Sequence, residues 1–459
     1  MKGSDESVTL IEDHLFTRPV VKELAEGYLS QPSVTITFEG RGKKLVFLKG
    51  DDGDYYRPLL ADPFTYNGGG YHLSWSGEAL TELLQEHFFT DFRDPQRILP
   101  LRAQLRPESQ EGQLAQFIVN HLSNPQGGVF TNFRDDRPEL ADEARNHDIL
   151  SESTGLWLEY AIWTEDEELY RQHVRYVRNY LMGPYGVLAW KVKRDNIEQQ
   201  KASALIDDIR IAATLLQGYE LWGDKRDLML AQAILEGVYR YEQEAGQWAP
   251  WFDWSGAPDT WLGWFDSLGP NGGTVVPVRY LQPAYLAQLA TIDERYAPLV
   301  EPTLDIIRQA DLGNGLFTTD YSPDRGVFQD REAVNMIDSV LAALHGAQAG
   351  YVSTAKVKFL QTELTKGRIW AAYHRDQGEE PVAVSEFRSP AVYALAAQFF
   401  WTIGEYDWAQ IAVDHLLLHR INDADSIFYG GFGDPRTGDC YSFDNLLALQ
   451  ALALVRKEQ

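Results

Sequence analysis

The spacing of apolar residues after residue 110 constrains the fold of this chain more than any other feature. Apolar positions recur at helical period in about twelve segments, each bounded by turn residues. The pattern predicts helices at residues 112–123, 151–164, 166–182, 203–222, 225–243, 280–291, 293–310, 331–349, 353–366, 388–403, 405–419 and 442–457.

The linkers between these segments alternate in length. Short linkers with a turn signal, such as Gly223-Asp224, join two helices into a hairpin. Long linkers rich in Gly, Pro, Trp and Asp separate the hairpins, at 183–201, 244–279, 311–330, 368–387 and 420–441. Loops of this length are uncommon in a compact domain unless they have a function. We therefore predict an all-α fold, an (α/α)6 barrel of six helical hairpins whose long loops build a cleft.

The first 110 residues have a different pattern. Residues 34–38 and 44–48 are strand-like, and Glu39-Gly40-Arg41-Gly42 between them is a hairpin signal. We predict two domains: residues 1–110 form a small β or α+β accessory segment, to which we assign no function, and residues 111–459 form the barrel.

Composition narrows the class of partner. The formal net charge of −26 disfavours nucleic acid and anionic membranes, whereas an uncharged substrate is not repelled. The 13 Trp and 23 Tyr residues suit surfaces on which flat sugar faces stack. A single cysteine, Cys440, excludes an internal disulfide. Neither the histidine spacing nor any glycine-rich loop indicates a metal or a nucleotide, so we expect no cofactor.

The sequence also gives expectations about location. It has no apolar run of the roughly 18 to 20 residues that a membrane helix needs. The polar start lacks the apolar core of a signal peptide, which indicates either a cytoplasmic protein or one whose leader was removed. The second alternative predicts an extracellular or cell-surface protein. We expect a monomer.

The segment from Ala204 to Trp222 places two adjacent acids, Asp207 and Asp208, at the start of an otherwise apolar helix. Such a helix is buried, and an ionised carboxylate taken out of water costs on the order of several kcal/mol unless it is paired or hydrogen-bonded. The two acids are therefore either first-turn residues that cap the helix or residues of a wet cleft.

The same segment resembles the helix signature of glycoside hydrolase family 8. The matching positions are Ala204, Asp208, Ile211, Ala212, Leu215, Leu216 and Trp222. Leu205, Ile206, Asp207 and Arg210 depart from the signature. A second match, at Ser151, Glu152 and Gly155, is similar to the family segment that carries the general acid. The chain also resembles the related family 126, which is associated with α-glucans.

The resemblance implies roles for three carboxyls. Glu152 would be the general acid, Asp208 would hold the sugar, and Glu332 would be the base, with Asp320, Asp330 and Asp338 as alternatives. An inverting glycosidase needs an acid and a base about 6.5–9.5 Å apart, with room for water. First-turn helix acids without any catalytic role are the alternative interpretation of Glu152 and Glu332.

The expected sugar-binding residues are mostly aromatic. Five tryptophans crowd residues 248–264, and segments around residues 190 and 280 resemble family loops. The predicted substrate-binding set is Trp190, Asp207, Trp251, Trp254, Trp261 and Tyr280. The sequence thus predicts an inverting hydrolase of a polysaccharide, a β-1,4-glucan or a bacterial exopolysaccharide. Alternatives are an α-glucan hydrolase, a barrel that binds carbohydrate without turnover, and a lyase or epimerase.

Overall fold

The computed structural model describes residues 35–40, 43–49, 55–56, 108–138, 144–194, 196, 199–244, 246–254, 275–329, 331–375, 381–384 and 386–456. Two compact units are present. In the described part of the first unit, strands β1 (Thr35–Gly40), β2 (Lys43–Lys49) and β3 (Tyr55–Tyr56) form an antiparallel sheet in that order. The predicted hairpin is confirmed, with Thr35 paired to Leu48 and Gly40 to Lys43.

The second unit holds twelve α-helices within the residues described. They are α1 (Gln110–His121), α2 (Ser151–Trp163), α3 (Glu167–Tyr176), α4 (Leu205–Trp222), α5 (Lys225–Tyr241), α6 (Pro283–Leu289), α7 (Ala297–Ala310), α8 (Met336–Gln348), α9 (Thr354–Thr365), α10 (Pro390–Thr402), α11 (Tyr406–Leu417) and α12 (Ser442–Arg456). A π-helical turn, Val177–Leu181, extends α3, and the 3₁₀ turns Val278–Tyr280 and Glu294–Tyr296 precede α6 and α7.

Six of these helices form a closed inner ring. Helix α2 packs on α4, α4 on α6, α6 on α8, α8 on α10, α10 on α12, and α12 packs back on α2. The other six helices lie outside the ring, each paired with an inner helix. This arrangement confirms the predicted (α/α)6 barrel.

Burial explains which helices are inside. Every residue of α10 from Ala391 to Phe400 is buried, because the sequence there is apolar on all sides. The outer helix α3 buries Leu169, Tyr170 and Val174 and turns its charged residues outward. None of the described helices is both long and apolar enough to cross a membrane.

Loop length decides where the inner helices begin. Five outer helices follow an inner helix after a short connection, such as the turn at Gly223, which adopts a left-handed φ of 75° at the end of α4. The sixth, α1, comes first in the chain and packs on α12. Each inner helix instead follows a long loop. The six inner helices therefore begin at the same end of the barrel, where the long loops lie, and this end is called the loop end below.

Short strands in these loops are the main feature that the helical pattern did not predict. Strand β4 (Ile149–Leu150) pairs with β5 (Lys191–Val192), and β11 (Ala333–Asn335) pairs with β12 (Ala372–His374). Strands β6 (Gln243–Glu244) with β7 (Gln247–Trp248), and β8 (Val276–Pro277), β9 (Asp320–Ser322) and β10 (Val327–Phe328), form two further small sheets. Because residues 333–335 are in β11, α8 begins at Met336 and not at the predicted residue 331.

Candidate active site

A cavity lies inside the inner ring and reaches the first turns of α2 and α4. All six inner helices contribute to its wall; α8 and α10 add Leu and Ile side chains together with His345, Gln348 and Gln398. Charged and phenolic side chains occupy the rest of the wall: Glu152, Glu159, Arg210, Arg279, Tyr280 and Tyr285. A pocket with a carboxyl at the loop end is therefore available to a ligand that enters between the long loops.

Glu152 is the second residue of α2 and is partly exposed to the cavity. Burial, and next the negative charge of Asp207, raise the pKa of the Glu152 carboxyl to about 7, while Arg210 and Arg279 oppose this shift. A carboxyl with such a pKa retains its proton at mildly acidic to neutral pH, and can therefore donate it to a leaving group.

Asp207 lies beside Glu152 but is buried. Ser151 Oγ donates a hydrogen bond to Asp207 Oδ2 at 2.7 Å, and the Arg210 guanidinium donates to Oδ1 at 3.0 Å. Burial raises the pKa of Asp207, and the Arg210 charge and the Ser151 hydroxyl counteract part of that increase. With both oxygens occupied by these donors, Asp207 is held rather than free to turn toward a ligand.

Asp208 has a different environment. The Leu188 amide donates to its carboxyl at 3.1 Å, and the carboxyl shares a hydrogen bond with Glu242, which follows α5. Both acids are fully buried. Burial, followed by the charge of Glu242, raises the pKa of Asp208 well above its ordinary value, and burial raises that of Glu242 to about 8. The pair therefore retains at least one proton at neutral pH.

Hydrogen bonds connect this carboxyl pair to the loop that contains Trp251 and Trp254. Ser203 donates its hydroxyl to Glu242 and accepts a hydrogen bond from the Phe252 amide at 2.9 Å. The Ser203 amide in turn donates to the Phe252 carbonyl at 2.9 Å. The protonated pair is thus linked to the segment that carries Trp251 and Trp254.

We predict that Glu242→Gln reduces the loss of stability on going from pH 5 to pH 9. The Glu242 carboxyl is protonated below about 8 in the folded protein but ionises near 4.5 in an unfolded chain. The contribution of this carboxyl to the stability of the fold is therefore complete below about pH 4.5, and it is lost as the pH rises through about 8. Gln keeps the hydrogen bonds without titrating, so the variant should be the more stable protein at pH 9, by at least about 1 kcal/mol.

Thermal unfolding followed by circular dichroism across this pH range measures the effect. Glu244→Gln is the matched control, since Glu244 is exposed on β6, two residues after Glu242, and its replacement should leave the pH dependence unchanged. Parallel curves for Glu242→Gln and the parent protein would contradict the retention of a proton by Glu242.

A second acidic group stands at the start of α8. Asp338 pairs with Arg279 at 3.1 Å, and the Arg279 guanidinium also lies over the Tyr280 ring. Burial raises the pKa of Asp338, and Arg279 counteracts it. About 20% of the Asp338 side chain is exposed, so water can reach it. Arg279 lines the cavity, pairs with Asp338 and attracts Glu152 electrostatically, so it links the two acids.

The other acids considered from sequence have different surroundings, although Asp320 also interacts electrostatically with Arg279 and Asp338. Glu332 is exposed just before β11, and its backbone carbonyl accepts a hydrogen bond from the Arg375 amide. Asp320 is buried on β9, accepts a hydrogen bond from Thr319 and forms an ion pair with Arg331. Asp330 is outside the described residues.

The predicted aromatic residues divide into two groups. Tyr280 lines the cavity, whereas Trp190 is partly buried in the loop before α4 and lies under the Lys191 ammonium. Trp251 is 43% exposed, and Trp254 packs near Phe252. Trp261 lies outside the described residues. An exposed indole at the loop end, such as that of Trp251, has a face available to a sugar ring.

A buried polar network below Glu152 was not predicted from the sequence. Arg210 lies 3.6 Å from Glu159, which accepts hydrogen bonds from Tyr285 and, at 3.0 Å, from Gln450. The available signal was the spacing of Glu152 and Glu159, which puts both acids on one face of α2. In the described part of the chain, no cluster of three or more His, Cys, Asp or Glu residues is suited to a metal.

Comparison with known proteins adds relatives of the same fold. No family model matches the sequence. A Bacillus subtilis (strain 168) protein, YdaJ, whose name describes it provisionally as a lipoprotein, is 26% identical over 340 residues, which cover 73% of this chain and 84% of YdaJ.

Solved structures give the same result. A structure titled a novel alpha-amylase from Clostridium perfringens is 26% identical, with a TM-score of 0.67, over 75% of this chain and 97% of that one. PssZ from Listeria monocytogenes is 22% identical, with a TM-score of 0.55, over 74% and 94%. Endoglucanase Cel10 from Klebsiella pneumoniae, a family 8 glycosyl hydrolase, is 14% identical with a TM-score of 0.51 over 76% and 100%.

The fold, the carboxyl-lined cavity and these relatives define the class of the protein. It is an (α/α)6-barrel glycoside hydrolase, and the predicted resemblance to family 8 is confirmed.

Proposed function

We propose that the protein is an inverting hydrolase that cleaves a polysaccharide with Glu152 as general acid and Asp338 as general base. The observation that carries this proposal is that Glu152, a cavity-lining carboxyl that retains its proton, and Asp338, a partly exposed carboxyl, both interact with Arg279 on the cavity wall. Glu152 would protonate the leaving glycosidic oxygen while Asp338 takes a proton from the attacking water, so that one displacement inverts the anomeric centre.

The choice of Asp338 over Glu332 rests on placement. A general base must lie close to the water that attacks the sugar. It must therefore be near the cavity that the general acid lines. Asp338 meets this requirement through Arg279, which interacts with both acids, whereas Glu332 lies in solvent before β11. Asp207, as a buried acid with both oxygens occupied, is less suited to activate water.

For substrate, we propose an uncharged polysaccharide cut at internal bonds, a β-1,4-glucan or a bacterial exopolysaccharide. Support comes from the net charge of −26, the long loops and the exposed Trp251. An α-glucan is the second candidate, because the structure titled an alpha-amylase has the higher identity, 26% against 14% for the family 8 endoglucanase. The lipoprotein name of YdaJ supports an extracellular or cell-surface location.

The test is incubation with a panel of β-glucans, bacterial exopolysaccharides and α-glucans, followed by proton NMR of the first product. We expect new reducing ends from at least one polymer, with the anomeric configuration opposite to that of the cleaved bond. Retention of configuration would contradict the roles of the two carboxyls. Binding without turnover on every polymer would favour the non-catalytic, carbohydrate-binding alternative.

A further inference from the structure

The residues around Glu152, on two packed helices, form a cluster with more carboxyl groups than positively charged side chains. Glu152, Gly155 and Glu159 lie on one face of α2, and Arg210 of α4 lies across that face. A Cβ atom at Gly155 would lie 2.9 Å from Arg210 Cδ. The absence of a side chain at residue 155 therefore gives the Arg210 side chain its path between the two glutamates.

Arg210 interacts with three carboxyls. It donates to Asp207 at 3.0 Å, lies 3.6 Å from Glu159, and attracts Glu152 electrostatically. Arg279, the second cation that attracts Glu152, is paired with Asp338, so two cations face four acids and at least one acid is favoured to keep a proton.

Hydrogen-bond donors decide which acid keeps it. Asp207 receives the Ser151 hydroxyl as well as Arg210, and Glu159 receives Tyr285 and Gln450. Donors of this kind stabilise an ionised carboxylate. No group in the described part of the chain donates a hydrogen bond to the Glu152 carboxyl. Glu152 is thus the member of the cluster with the least support for a negative charge.

We propose that Asp207 is a positioning residue of the reaction: its carboxyl, hydrogen-bonded by Arg210 and Ser151 next to Glu152, keeps the proton on Glu152. This inference rests on the proposed role of Glu152 as general acid. It gives Asp207 a function that is distinct from sugar binding, and it explains why an acid is useful at a position where the family 8 signature has a small residue.

The groups that face Glu152 from the surrounding elements are few. Helix α4 provides Asp207 and Arg210, and the 3₁₀ turn before α6 provides Arg279 and Tyr280. Within α2 itself, Glu159 lies further along the same face. Helix α6 provides Tyr285, and α8 provides His345, whose pKa burial lowers to about 3. Asp338 of α8 is paired with Arg279, and the faces of α10 and α12 add the neutral side chains Leu395, Gln398, Phe443 and Gln450. Among these, Asp207 is the carboxylate whose charge opposes ionisation of Glu152 most strongly.

The test is the pH dependence of kcat/KM for Asp207→Asn on the polysaccharide that the parent enzyme hydrolyses. Losing the negative charge, and freeing Arg210 toward Glu152, both favour ionised Glu152. We therefore expect the alkaline limb to move to lower pH by about one unit or more. Ser151→Ala, which weakens the hold on ionised Asp207, should shift the limb in the same direction by a smaller amount and serves if Asp207→Asn fails to fold.

Glu111→Gln is the matched control for loss of a buried carboxyl, because Glu111 is on α1 and bonds Tyr160 outside the cavity. Its alkaline limb should coincide with that of the parent. An unmoved limb in folded Asp207→Asn, with Glu152→Gln inactive, would overturn the role of Asp207 alone. Full activity of Glu152→Gln would instead overturn the proposed function.

Discussion

Glu152→Gln is expected to lower kcat on the polysaccharide substrate by about 10²–10⁴-fold while leaving the fold intact. The Gln side chain has the shape of the protonated acid but has no acidic proton to give to the leaving oxygen. Because the Glu152 carboxyl receives no hydrogen bond from the described residues, the amide disrupts no existing contact there. Initial rates of reducing-end release, with KM measured in parallel, give the effect, and KM should change far less than kcat.

The control for this variant is Glu159→Gln, the same substitution about two helical turns further along α2. Glu159 is buried and hydrogen-bonded by Tyr285 and Gln450, so its replacement should lower thermal stability, with a smaller effect on kcat. A loss of kcat in Glu159→Gln as large as in Glu152→Gln would show that disturbance of the network, not loss of the acid, explains the result.

Asp338→Asn is expected to lower kcat by a similar factor, about 10²–10⁴, because water then lacks a group to accept its proton. The amide oxygen can still accept a hydrogen bond from Arg279, so the substitution conserves the local packing. The loss should be the same for substrates with poor and with good leaving groups, since water attacks in both cases.

Glu332→Gln decides between the two candidate bases. Glu332 is exposed before β11, and the structure predicts a change in kcat of less than about twofold on its replacement. If Glu332→Gln loses activity and Asp338→Asn retains it, the base assigned from the family resemblance is correct and the proposed role of Asp338 is wrong.

The helical architecture could be predicted because the spacing of apolar residues within each segment indicates a helix. Each predicted segment overlaps an observed helix, and the alternation of short and long linkers was sufficient to give the barrel. The start of α8 could not be predicted, since β11 forms by pairing with residues 372–374, far away in sequence. Local pattern contains no information about such a partner.

The site was harder to predict than the fold. The motif around Ser151 and Gly155 drew attention to Glu152, and the structure places it at the cavity. Asp207 and Asp208 are adjacent, however, and neighbouring helix residues point about 100° apart, so sequence alone could not say which one faces Glu152. The structure puts Asp207 beside Glu152 and puts Asp208 against Glu242. Sequence spacing also gave no indication that Arg210 would cross Gly155.

The central claim is that Glu152 donates a proton to the leaving group, and the activity of Glu152→Gln on an activated substrate tests it most directly. The probe is the glycosyl fluoride of the sugar released from the polysaccharide, with the anomeric configuration of the cleaved bond. Fluoride leaves with little help from an acid, so the variant should retain kcat within about tenfold of the parent on the fluoride while it loses about 10²–10⁴-fold on the polymer. Equal losses on both substrates would contradict the assignment of Glu152 as the general acid.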